Sequence, residues 1–206
     1  MLLTTQGGRL SYADFSGSAV NGSDFGGAYL EKARFRGCRI EQTSFAVVTA
    51  ETVRAPLRAE NAPYSSFLMG ADFNGSVLID VSYAGAYLTA ASFDGALLIR
   101  PDFRGTGLSA ATMKGAVLLA PLLDGAEMKS LDLDGAVVFG AGWLEAVSGL
   151  AEPGTFRPEL YQAEPMTLAE VMAINIVYQT LEEAEVTAIT GGAPAFRLKR
   201  VLPFTD

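Results

Sequence analysis

From Phe73 to Trp143 every fifth residue is large and apolar, and the residue two before it is nearly always small. The large series runs Phe73, Leu78, Tyr83, Leu88, Phe93, Leu98, Phe103, Leu108, Met113, Leu118, Leu123, Met128, Leu133, Val138 and Trp143. Its small companions include Ala71, Ser76, Ala86, Ala91, Ala96, Thr106, Ala111 and Ala116. A period of five fits neither the 3.6 residues of a helical turn nor the two of a strand. It must come from a repeated local unit, so the chain is first of all a solenoid. An earlier block repeats the pattern, with Leu10, Phe15, Val20, Phe25, Leu30, Phe35, Ile40 and Phe45 at the large positions.

The units ADFSG (13–17), SDFGG (23–27), ADFNG (71–75) and PDFRG (101–105) resemble those of the pentapeptide-repeat family. The resemblance covers residues 8–145 and implies a right-handed quadrilateral β-helix, four pentapeptides to a coil. Residue chemistry supports that geometry independently. A narrow prism accepts one large side chain per edge only where its neighbour is small. Glycine at 75, 85, 95, 105, 115, 125 and 135 suggests that alternate corners need positive φ. Leu131 exceeds its small slot, which predicts a local distortion.

The two blocks are out of phase by three residues, so the register breaks within 46–67. Pro56, Pro63 and four charged residues lie there, consistent with either a distorted coil or a projecting loop. The repeat stops after Ala146, leaving 146–206 as a C-terminal cap or dimerisation module. Trp143 stands where it would plug the end of the prism. Thr167-Leu168-Ala169-Glu170 matches a capping box and predicts a helix from Leu168 to about Glu185. Residues 185–190 and 195–202 flank Gly191-Gly192-Ala193-Pro194, which suggests a hairpin. The expected fold is mainly β, a solenoid with a small α/β cap.

Sorting outward positions by side separates two kinds of surface. Beside Phe73, Phe93, Met113 and Leu133 the neighbours are mostly polar, among them Asp132 and Asp134, read as solvated. On the next side they are Val77, Ile79, Leu97, Ile99, Val117, Leu119, Val137 and Phe139. A contiguous apolar ladder marks something that covers it. Three covers are open: the C-terminal module through Val171, Ile174, Tyr178 and Leu181, a second copy in a homodimer, or another protein.

The chain has no histidine, which removes the commonest general base and metal ligand. We expect no enzyme activity, no cofactor and no metal. Cys38 sits in a small inward slot and reads as a packed thiol. One cysteine permits no internal disulfide, there is no membrane span and the start does not read as a signal peptide, so a cytoplasmic location is expected. The net charge of −8 disfavours direct nucleic-acid binding. The expected function is non-enzymatic protein interaction or scaffolding. The family resemblance implies an alternative: bacterial DNA mimicry that binds DNA gyrase or topoisomerase IV and protects against quinolones or toxins. The charge distribution is unfavourable to it. Residues 1–148 carry 11 basic and 15 acidic side chains, a net of −4, and the other −4 lies beyond them.

Overall fold

In the computed structural model, which describes residues 5–54, 57 and 59–203, the five-residue units build a right-handed four-sided β-helix. One side carries six short parallel strands in order, β1 (Ala19–Asn21), β2 (Arg39–Glu41), β3 (Val77–Ile79), β4 (Leu97–Ile99), β5 (Val117–Leu119) and β6 (Val137–Phe139). The other three sides are joined from coil to coil by parallel single-residue bridges. Each edge closes with a local turn bond, such as Ala71 N–H to the Leu68 carbonyl at 2.9 Å. Each rung bonds to its neighbours, as when Phe73 N–H donates to the Ser92 carbonyl at 2.7 Å.

Inside, two aromatic columns run along the axis. Phe15, Phe35, Phe73 and Phe93 stack with successive centroids 4.9 Å apart. Phe25, Phe45, Tyr83 and Phe103 stack at 5.0, 5.3 and 5.2 Å. The columns meet edge-to-face, for example Phe73 against Tyr83 at 5.6 Å. Such pairs add about 0.5–1.5 kcal/mol each beyond burial. The Tyr83 hydroxyl is buried without a hydrogen-bond partner, and burial pushes its pKa well up.

Two details differ from the sequence expectation. The corners at the intervening positions also have positive φ: Asp80, Ala90, Arg100, Ala110, Ala120 and Ser130 lie between +49° and +58°. The turn demands the left-handed conformation at all of these corners, and coil stacking holds non-glycine residues in it. Leu131 causes no distortion. It keeps the usual turn bond to Met128 at 3.1 Å and fits because it lies in the last coil, under the cap.

The phase shift is an excursion inserted into one coil. Ala19 pairs with Arg39 and Val77 with Leu97, one regular coil apart in each case. Arg39 pairs with Val77, so nearly twice as much chain separates these two partners. An antiparallel bridge between Val48 and Tyr64 closes the excursion at its base. The Gln6 side chain ties it to the first coil, accepting from Arg54 N–H at 2.7 Å and donating to the Thr52 carbonyl at 3.1 Å. Pro56 lies outside the described residues.

After Phe139 the coil ends, and Trp143 opens α1 (Trp143–Leu150) instead of another edge. Trp143 itself is only partly buried. The end of the prism is closed by Leu144, Val147, Phe156, Leu160 and Tyr161. Burial pushes the Tyr161 phenol up to about 12. Its hydroxyl donates to the Leu131 carbonyl at 2.6 Å and accepts from Leu133 N–H at 3.1 Å. The sheet then continues antiparallel: β8 (Ala195–Arg200) pairs with β6, and β7 (Tyr161–Met166) pairs with β8. The last parallel strand is therefore not left as an open edge.

Between β7 and β8 lie α2 (Leu168–Met172), α3 (Asn175–Tyr178) and α4 (Glu183–Thr190), in place of the single helix expected from Leu168 to Glu185. The capping box forms as read, with Glu170 N–H donating to Thr167 Oγ1 at 3.2 Å and Thr167 N–H to Glu170 Oε2 at 2.7 Å. The helix breaks at Ile174 (ψ 119°), where α3 begins, and again before Glu182 (ψ 157°), which opens α4 and forms a second capping box with Glu185. β-branched Ile174, Ile176 and Val177 disfavour a continuous helix, and the breaks let Val171, Val177 and Val186 reach the same buried cluster. The expected hairpin is also corrected. Residues 185–190 belong to α4, Gly191 (φ 63°) is its left-handed C-cap, and β8 pairs with β6 and β7.

Candidate functional site

The apolar ladder and the C-terminal helices form one hydrophobic cluster separate from the prism core. Leu97, Ile99, Val117, Leu119 and Val137 are buried in it together with Val171, Val177, Val186 and Ala195. Val77, Ile79, Phe139, Ile174 and Leu181 pack at its margin, partly buried. Tyr178 stands apart, 74% exposed, because the break at Ile174 turns it away from the ladder. Eleven of the twelve expected interface residues thus meet within one chain.

A second outward ladder lies on another side of the prism. Its rungs, in order, are Arg9, Tyr29, Phe67, Tyr87, Gly107 and Glu127. Tyr29 and Phe67 stack at 5.2 Å, and Phe67 and Tyr87 at 5.4 Å. Tyr29 and Tyr87 are close to half exposed, and no element among the described residues covers them as the helices cover the first ladder. Leu57, Pro63 and Tyr64 of the excursion form a wall beside the three rings, enclosing a cleft of about 420 Å³. Sequence reasoning missed this ladder. Phe67 and Tyr87 stand one regular coil apart and that spacing was visible, but Tyr29 joins them only across the excursion.

Several charged groups of the prism are paired with one another. Arg100 and Asp80 form a two-point ion pair at 2.6 and 2.7 Å. Arg104 and Asp102 do so at 2.9 and 2.8 Å. In both pairs the guanidinium holds the carboxyl below its usual range. Arg34 meets Asp14 at 3.6 Å, and Arg36 meets Asp72 at 3.4 Å. Asp132, read from sequence as solvated, is only 5% exposed. It receives Arg200 at 2.8 Å and Lys114 at 3.2 Å, so it fastens β8 to the last coil.

Cys38 is buried, its Sγ donating to the Phe15 carbonyl at 3.1 Å, and burial raises its pKa. Both features disfavour the thiolate a nucleophile needs. Among the described residues no three His, Cys, Asp or Glu side chains group to hold a metal ion, and no helix is long and apolar enough to cross a membrane.

The family model for pentapeptide repeats matches residues 9–45 and 66–105, in eight copies. Those two stretches are pentapeptide repeats. The gap between the matched segments coincides with the excursion, where the spacing of five is lost. No curated protein sequence matches the chain. Among solved structures, a pentapeptide repeat protein from the thylakoid lumen of Arabidopsis thaliana is 18% identical, covering 69% of this chain and 84% of that one, with a TM-score of 0.35. HetL, a pentapeptide repeat protein involved in heterocyst differentiation regulation from the cyanobacterium Nostoc sp. strain PCC 7120, is 16% identical over 66% of this chain and 85% of its own, with a TM-score of 0.22. QnrB1, a plasmid-mediated fluoroquinolone resistance protein, is 16% identical over 66% and 80%, with a TM-score of 0.24.

Proposed function

We propose that this protein acts by binding another protein, as an interaction or scaffold module without chemistry of its own. One observation carries the reading. Of two outward ladders of large side chains, the aliphatic one is packed under the chain's own C-terminal helices, while the aromatic one stands open beside a projecting loop. Exposed, ordered aromatic surface on a rigid scaffold is the usual make-up of a recognition face. A photo-crosslinking residue placed at Tyr87, and separately at Leu122 on another side, tests it in the native host. A discrete heavier adduct from position 87 and not from 122 is expected. The absence of any adduct from either position contradicts the reading.

Topoisomerase binding by duplex mimicry is the second reading, favoured by the net charge of −8. The pairing of Asp14, Asp72, Asp80, Asp102 and Asp132 with Arg or Lys weighs against it, since a mimic needs unpaired negative ridges. A gyrase supercoiling assay with pure protein decides. Inhibition, or protection from a quinolone, at stoichiometric protein would promote this reading to first place.

A further inference from the structure

The aromatic ladder has a missing rung. After Tyr87 the next position is Gly107, and the one beyond it is Glu127. Gly107 lies outside the corner series, and its φ is not positive, so the backbone does not require glycine there. A Cβ at this position would meet only Tyr87 Cδ1 at 3.7 Å and the Ala86 carbonyl oxygen at 4.0 Å, which is ordinary contact. A side chain would fit, yet none is present. The result is a slot about two strand spacings, roughly 10 Å, from the Tyr87 rung to the Glu127 rung. One wall is the last ring of a three-ring stack, close to half exposed. The other is a carboxylate: Glu127 Oε1 accepts from Ser109 Oγ at 2.7 Å, which fixes its orientation and leaves Oε2 available.

We infer that this slot receives an arginine side chain carried on an extended segment of a partner protein. A guanidinium is flat enough to stack on a ring face and cationic enough to pair with a carboxylate in the same plane. A neutral planar group would satisfy only the Tyr87 wall, and a lysine ammonium would satisfy the charge without the stacking. The net charge of −8 draws a cationic segment in. The cleft lined by Tyr29, Phe67, Leu57 and Tyr64 continues from Tyr87 and takes the residues flanking the arginine. The inference rests on the reading that the protein acts by binding, and it names the chemistry of the partner.

The test is an NMR titration of the full chain with acetyl-Gly-Arg-Gly-amide, alongside the lysine and citrulline peptides. The arginine peptide should shift the Tyr87, Gly107 and Ser109 amides saturably, with Kd about fivefold below that of either control. Glu127→Gln, at a partly buried position where the amide oxygen can still accept from Ser109 Oγ, should weaken it by about the same factor. Gly107→Phe should abolish the response and leave Tm equal or higher, because it completes the stack. Equal binding of all three peptides, or unchanged binding to either variant, overturns the inference. A position-87 crosslink that forms without arginine preference would sink the slot and leave the binding reading standing.

Discussion

Strands β1 and β2 share a side of the prism, and the same strand geometry, with β4 and β5, yet their outward chemistry is opposite. β1 and β2 point Ala19, Asn21, Arg39 and Glu41 outward; the first three are exposed and Glu41 is partly buried. β4 and β5 point Leu97, Ile99, Val117 and Leu119 outward, and all four are buried. β3 lies between, with Val77 and Ile79 half-buried. The inward residues do not change along this series, since Val20, Ile40, Leu78, Leu98 and Leu118 are all within the core. What changes is the reach of the C-terminal helices. A repeat fixes the inward positions everywhere, and the outward positions take their character from whatever lies on them locally.

The largest effect should come from placing charge on the covered stretch. Leu97→Glu or Leu119→Glu buries a carboxylate with no partner and should cost about 3 kcal/mol or more, or release the C-terminal module. Ala19→Glu, the same side chain on exposed β1 opposite Arg39, should change stability by no more than about 0.5 kcal/mol. Chemical denaturation with limited proteolysis compares them; equal, small effects would break the contrast. The interior obeys the same rule against unpaired polar atoms. Tyr83→Phe removes a buried hydroxyl that has no partner and should stabilise by about 1–3 kcal/mol, read as a higher Tm.

At the corner after β5, Ala120 has φ 50°. Ala120→Gly should stabilise by about 0.5–1 kcal/mol, the left-handed penalty less the added chain entropy of glycine. The smallest effect belongs to the rim pair Asp80–Arg100. Its carboxyl pKa is lowered by the guanidinium, so its contribution is present above the unfolded value of about 3.9 and fades as pH falls through the lower folded value. The Tm difference between wild type and Asp80→Asn should therefore shrink on acidification, and a difference that grows would contradict the pairing.

The solenoid was legible because a period of five depends only on the chain's own spacing. The aliphatic ladder was legible for the same reason, its members recurring once per coil within one uninterrupted block. The aromatic ladder was hidden because the excursion displaces Tyr29 from Phe67 in sequence but not in space. The C-terminal helices were misread where local signals are ambiguous. Gly191-Gly192 serves a hairpin turn or a helix C-cap equally well, and the β-branched residues of 185–190 resemble a strand. Only the Glu182–Glu185 box, and a face that wants Val186, decide for a helix. Tyr178 lies off the covered ladder because its place in the stripe assumed an unbroken helix.

The central claim is that the apolar ladder is covered by its own chain. Carbene footprinting at concentrations too low for self-association measures this directly, with exposed Leu122 and buried Leu98 as internal references. The account predicts that Leu97, Ile99, Val117 and Leu119 are labelled as little as Leu98, with Val77 and Ile79 intermediate. Labelling of those four at the level of Leu122, falling only as concentration rises, would mean that a second molecule supplies the cover.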